Sequence, residues 1–248
     1  VTQPIIEAND LGIRFVRNRR RQLRLREMFI HRGRRQPSSE EFWPLRHLTF
    51  DIQPGEAVGI IGKNGTGKST TLRLIAGVLI PDEGSITVRG KVAPLLELSA
   101  GFSNDLTGRE NVHLVGSLHG LSPAFLRARF DEIIDFAGEQ VQKAIDTPVR
   151  HYSSGMKVRL GFSVIAQLQH PILLVDEVMA VGDAEFRAKC YATIERLLGE
   201  GRTLVLVSHN EPDLTRFCKR GLYLNRGELV VDGTMQEALD AYNNVVRT

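Results

Sequence analysis

The run Gly62-Lys63-Asn64-Gly65-Thr66-Gly67-Lys68-Ser69-Thr70 carries three glycines and ends in a lysine followed by two hydroxyl side chains. Glycines let successive backbone N–H groups turn inward around phosphate oxygens, and a helix that starts at the lysine adds the positive end of its dipole. Lys68 can then reach the β- and γ-phosphates and Ser69 can ligate Mg²⁺. Each residue from Gly62 to Thr70 is a candidate ligand of ATP, with Mg²⁺ as its companion ion.

Two further groups complete such a site. Pro171-Ile172-Leu173-Leu174-Val175-Asp176-Glu177 is an apolar strand ending in adjacent carboxylates. Asp176 would hold Mg²⁺ through water, and Glu177 would polarise the attacking water. In Val207-Ser208-His209-Asn210, the histidine follows another apolar strand and would emerge at the carboxyl edge, where ligands bind open parallel sheets. That places His209 as a contact to the γ-phosphate.

The flanking patterns supply the elements that must hold these groups. Ala57-Val58-Gly59-Ile60-Ile61 is continuously apolar, as a fully buried parallel strand would be, and Lys68 to Val78 has helical periodicity. Strands are also expected at Ile5 to Phe15, Leu48 to Ile52, Ser85 to Val88, Ile172 to Val175, Thr203 to Val207 and Gly221 to Leu224. Gly227 to Val231 reads as a hairpin partner and Met235 to Val246 as a final helix. Between Gly108 and Leu168 the pattern is helical, punctuated by Gly120, Pro123 and Pro148. The alternation of strands and helices predicts an α/β protein with a parallel sheet and right-handed crossovers.

Composition sets bounds on the rest. A chain of 248 residues accommodates one α/β domain with a helical insert, and 42% hydrophobic with 25% charged residues is ordinary for a globular protein. No apolar run approaches the roughly 18 to 20 residues that cross a bilayer, and no signal peptide is recognisable. Cys190 and Cys218, the only cysteines, have no metal-like spacing and suit a reducing compartment. The net charge of +3 is uneven: ten arginines and one acid between Arg14 and Arg35 give +9 there and −6 elsewhere.

Tyr152-Ser153-Ser154-Gly155-Met156-Lys157-Val158-Arg159 opens a helix about 20 residues before the acidic pair. It resembles the signature motif of ABC ATPases, usually Leu-Ser-Gly-Gly-Gln, with Tyr152 for Leu, Ser154 for the first Gly and Met156 for Gln. The resemblance runs from Ile5 to Val231. It implies a P-loop NTPase fold of the ABC ATPase type, with a mixed sheet core, an antiparallel β subdomain and a helical subdomain. On this basis 1–248 is one ABC ATPase domain, with a basic helical insert at 16–41, a helical subdomain with the signature motif at 98–168, and no C-terminal carbohydrate-binding domain.

The resemblance also implies an ATPase working as a homodimer, packed head to tail. Ser153, Ser154 and Gly155 of one subunit would close over the ATP held by the other, and Asp183 in Ala180-Val181-Gly182-Asp183 would lie at the dimer contact. Glu97 stands where the family usually has a glutamine that contacts Mg²⁺ and the membrane partner. An aromatic ring normally stacks on adenine, and Phe15 and Trp43 are the two candidates.

Leu95 to Asn111, together with the arginine-rich insert ending in Phe42-Trp43-Pro44-Leu45, resembles the branch that exports lipid-linked polysaccharides of O-antigen, teichoic acid or galactan type. The implied partners are integral membrane permease subunits and, through the complex, the lipid-linked polysaccharide. The implied location is the cytoplasmic face of the cell membrane. Within the insert, Arg20, Arg21, Arg24, Arg32 and Arg35 accompany Leu23, Leu25, Met28, Phe29 and Ile30, a combination suited to an anionic surface. A soluble ABC ATPase acting on nucleic acid or ribosomes is the alternative class. Such relatives carry long coiled coils or fused cassettes that are missing here, so no nucleic-acid partner is expected.

Overall fold

The computed structural model describes residues 3–17, 40–95, 101–176 and 183–246. Two long strands come first, β1 (Ile6–Arg17) and β2 (Glu40–Ile52), followed by the short β3 (Ala57–Ile61) and α1 (Lys68–Ile75). Next come β4 (Glu83–Val88), β5 (Val92–Leu95), then α2 (Gly108–Leu118), α3 (Pro123–Ala137), α4 (Glu139–Lys143) and α5 (Ser154–Ile165). The chain then alternates through β6 (Ile172–Asp176), α6 (Ala184–Gly199), β7 (Thr203–Val207), α7 (Glu211–Phe217), β8 (Arg220–Asn225), β9 (Glu228–Thr234) and α8 (Met235–Val246).

These strands form two sheets. β2, β1 and β4 make an antiparallel three-stranded sheet, and the six-stranded sheet has the order β5-β6-β7-β3-β8-β9. Its pairs from β5 to β8 are parallel, whereas β9 runs antiparallel to β8. β6, β7 and β3 are buried on both faces, as their continuous apolar runs require. One core fills the space between the two sheets and α1, with Ile6, Leu45, Ile60 and Leu72 at its centre. A second lies beneath α6 and α8, and a third, around Val112, Leu126, Ile133 and Leu160, joins α2, α3 and α5.

The helix starts have local causes. Thr107 and Glu110 form a reciprocal capping box at α2, Ser122 with Pro123 starts α3, and Ser153 and Asp183 cap α5 and α6 through their side chains.

Two expectations are corrected. The stretch 16–41 is not an insert throughout: β1 continues to Arg17 and β2 begins at Glu40, eight residues before the expected strand at Leu48. Pro44 masked that strand, yet it is tolerated because β2 is an edge of its sheet. The expected basic helix at 18–39 lies outside the described residues, as do Glu97, Glu177 and Ala180 to Gly182. β5 was not anticipated, since Val-Ala-Pro-Leu is too short to show a period and it too is an edge strand.

Candidate functional site

The glycine-rich loop leaves β3 and enters α1. Gly67 takes a φ of 100°, and a Cβ there would stand 2.3 Å from Leu45 Cδ2, so the turn admits no larger residue. At Gly62 a Cβ would come within 2.4 Å of the Leu224 carbonyl. Because α1 is capped by Gly67 it has no side-chain cap, and its first turn holds no acid. An anion therefore meets the helix end without competition from a carboxylate.

Six of the nine loop residues, Asn64, Gly65, Gly67, Lys68, Ser69 and Thr70, line a pocket of about 280 Å³, together with Phe15, Phe42 and Pro44. The other three build the loop. Lys68 Nζ, buried, donates to the carbonyls of Gly62 at 2.8 Å and Lys63 at 3.0 Å, and Thr66 Oγ1 donates to Lys63 O at 2.9 Å. Lys63, a candidate ligand through the loop backbone, sends its Nζ to donate to the Val245 carbonyl of α8 at 3.3 Å.

The strand order places the remaining groups. β6, β7 and β3 are neighbours, with Asp176 in register with Val207 and Val207 with Ile60. Asp176, the Ser208-His209 turn and Gly62 therefore emerge side by side from one carboxyl edge. His209 is exposed and lines a small cleft with Gly62, Ser208, Glu211 and Tyr242. Ser69 and Asp176 supply hard oxygen donors of the type Mg²⁺ prefers. No cluster of three potential metal ligands occurs among the described residues.

Of the two aromatic candidates, Phe15 lines the pocket and Trp43 does not. Side chains alternate across a strand, so Phe42 and Pro44 share the pocket face of β2 and Trp43 takes the other. There the Arg46 guanidinium lies 4.5 Å from the Trp43 ring centre and Arg14 5.9 Å, while Arg46 forks onto Glu83 with two bonds of 3.1 Å. Trp43 therefore packs against the antiparallel sheet outside this pocket. Phe42, which sequence reasoning passed over, lines the pocket and stands opposite Phe15 in the β1–β2 register. The signal that would have found it is the alternation through Phe42-Trp43-Pro44, hidden by the unexpected start of β2.

The turn that opens α5 does not line this pocket. Ser153 Oγ accepts from the Met156 amide at 3.2 Å, Ser153 and Ser154 are exposed, and open space surrounds Gly155 apart from Ser153 itself. Tyr152 is buried, its hydroxyl donates to the Ala144 carbonyl at 2.7 Å, and burial pushes the phenol up to about 12. Gly108 makes room for it, since a Cβ there would stand 2.2 Å from the hydroxyl oxygen. Asp183 caps α6 through the Phe186 amide at 2.9 Å.

Known proteins share both the sequence and the fold of this chain. The family described as ABC transporter matches residues 45–180. The O-antigen export system ATP-binding protein RfbB of Klebsiella pneumoniae is 43% identical over 206 residues, 83% of either chain. The teichoic acids export ATP-binding protein TagH of Lactococcus lactis is 37% identical over 215 residues, 87% of this chain but 46% of the longer relative. Among solved structures, an ATP binding subunit of an ABC transporter superimposes with a TM-score of 0.76 at 21% identity, covering 98% of this chain and all of that one. A dimeric bacterial ABC transporter cassette gives 0.73 at 22% identity, covering 93% and 98%.

Proposed function

The chain belongs to the ABC transporter family, and on that premise we propose that it is the ATP-hydrolysing subunit of an exporter for a lipid-linked polysaccharide of O-antigen, teichoic acid or galactan type. The observation that carries the ATPase reading is the strand order β6-β7-β3, which delivers Asp176, His209 and the Gly62-to-Thr70 loop to one edge. The export reading is supported by the relatives named for O-antigen and teichoic acid export.

Bound Mg²⁺ would neutralise charge developing on the phosphates, and Ser69 and Asp176 are the described residues that would hold it. Glu97, from a segment outside the described residues, is the third proposed ligand. Gly65, Gly67 and the first turn of α1 cradle the phosphates, Lys68 swings from the loop carbonyls to the phosphate oxygens, and Phe15 and Phe42 flank the adenine. Glu177 accepts a proton from the attacking water while His209 holds the γ-phosphate. Ser153, Ser154 and Gly155 complete the site from a second copy of the chain, within the helical unit 98–168.

The partner is a membrane permease. Among the described residues no helix is long and apolar enough to cross a membrane. A groove of about 680 Å³ between α1, β4 and the end of α2 is rimmed by the exposed side chains of Ile80 and Leu118, with Val78 beside it, and suits an apolar segment of such a partner at the cytoplasmic face.

The deciding experiment is a Glu177→Gln variant co-expressed with its permease. ATP binding should persist while hydrolysis and glycan export stop, and mass spectrometry of the wild-type complex should find a lipid-linked sugar. Wild-type hydrolysis by the variant would remove Glu177 from the mechanism, and tight, salt-sensitive nucleic-acid binding would remove the export reading.

A further inference from the structure

We propose that Asp213 is a positioning residue for His209: a buried carboxylate, held by Tyr191 of α6, that fixes the short helix α7 and with it the turn that presents His209 to the γ-phosphate. This rests on the reading of His209 given above. Asp213 lies four residues after His209 and is only 5% exposed. Tyr191 Oη donates to Asp213 Oδ1 at 2.5 Å, although the two residues are 22 apart in sequence.

Helix α7 cannot hold its own place. It has seven residues, about two turns, where isolated helices need about 12 to 15 residues. Asn210, at its start, makes no side-chain cap bond. Packing therefore places it. Leu214 and Phe217 are buried, and Gly59 of β3 leaves room for Leu214, whose Cδ2 would stand 2.9 Å from a Cβ at that position. That contact is apolar and has no direction; the Tyr191–Asp213 bond has one. The Tyr191 ring meets Phe217 edge-on with centres 5.5 Å apart, so packing aims its hydroxyl at Asp213. Burial, with Asp213 second, pushes the phenol up to about 12, and the hydroxyl keeps its proton for the carboxylate at neutral pH. The other ties of α7 to α6 and α8, Arg216 onto Glu195 at 2.7 and 2.9 Å and Asn243 onto Glu211 at 3.2 Å, are exposed and hold less.

The path from this anchor to His209 is short and hydrogen-bonded. The amides of Asp213 and Leu214 donate to the Asn210 carbonyl at 3.1 and 3.3 Å, and the Asn210 amide donates to Ser208 Oγ at 3.0 Å. His209 is the residue between Ser208 and Asn210, and Leu214 lines the same small cleft as His209. Without the Tyr191 hydroxyl, the buried Asp213 carboxylate loses a donor and is drawn toward water. That turns α7 and carries Asn210 and His209 with it, and a displacement of about 1 Å at a reacting group costs about a hundredfold in rate.

The test uses the assembled transporter and five variants: Tyr191→Phe, Asp213→Ala, Asp213→Asn, His209→Ala and the Tyr191→Phe/His209→Ala pair. Tyr191→Phe keeps the ring against Phe217, so the fold should persist. It and Asp213→Ala should each lower kcat at least about tenfold, while ADP, which lacks the γ-phosphate, binds within about twofold of wild type. Asp213→Asn keeps an acceptor for the Tyr191 hydroxyl and should retain most of kcat. In the His209→Ala background Tyr191→Phe should cost nothing further, the non-additivity expected if it acts through His209. Wild-type kcat in Tyr191→Phe, losses that multiply in the pair, or ADP affinity falling in step with kcat would each overturn the proposal. His209→Ala hydrolysing at the wild-type rate would overturn the reading of His209 as well, whereas a slow His209→Ala with a normal Tyr191→Phe overturns this inference alone.

Discussion

Phe15 and Phe42 stand directly across from each other in the antiparallel pairing of β1 and β2, 44% and 54% exposed, at the mouth of the pocket that the phosphate loop forms. Large exposed rings cost solvation, so two of them beside a polar pocket mark a surface that a flat ligand would cover. Trp43, one residue from Phe42, is turned to the far side of the sheet under Arg46.

Truncating these rings should separate their roles. Phe15→Ala or Phe42→Ala should raise the KM for ATP about tenfold, the equivalent of an aromatic contact of about 1.4 kcal/mol, with little change in kcat. Trp43→Ala should leave KM unchanged and lower Tm by a few degrees, through lost packing and cation–π contact. ATPase titrations and thermal melts of all three variants check this, and a KM effect confined to Trp43→Ala would reverse the assignment.

Gly108 and Tyr152 should behave as a coupled pair. In Gly108→Ala the new Cβ would press on the Tyr152 hydroxyl as well as on Ile145, and the melt should show a loss of about 1 to 3 kcal/mol. Adding Tyr152→Leu, which removes the hydroxyl, should recover part of that loss. Strictly additive effects in chemical denaturation would show that the contact is not what constrains position 108.

The pH dependence of stability has two limbs with opposite origins. The Phe186 amide holds the Asp183 carboxyl below its unfolded value, so its contribution is complete above the ordinary carboxylate range, near pH 4, and is lost as pH falls through its folded value. Wild-type and Asp183→Asn melting curves should therefore converge below about pH 4. Tyr152 is raised to about 12, so its contribution is complete below its unfolded pKa of about 10 and is lost as pH rises toward 12. Because burial also pushes Cys190, Cys218 and Tyr191 up to about 12, Tyr152→Phe should lessen the slope of that alkaline limb without abolishing it, and an unchanged slope between those values would exclude Tyr152 as a contributor.

The chemistry of the loop was legible in the sequence because it is local. Glycine conformations, a buried strand before the loop and a helix after it are all encoded within about twenty neighbouring residues, and the structure realises them from Ala57 to Ile75. The caps at Ser153 and Asp183 are equally local, formed with backbone amides three residues on.

What tertiary structure alone decided depends on pairing at a distance. Whether Phe42 or Trp43 faces the pocket is a matter of strand parity, and a one-residue change of register exchanges the faces. That register is set by β1, whose residues lie across the 18–39 stretch from β2. The neighbourhood of β6, β7 and β3, and with it the meeting of Asp176, His209 and Gly62, comes from crossovers that periodicity cannot order. The Tyr191–Asp213 pair likewise exists only once α6 and α7 have packed together. Sequence specified which groups could act on a phosphate; the long-range burial of apolar faces decided which of them stand together.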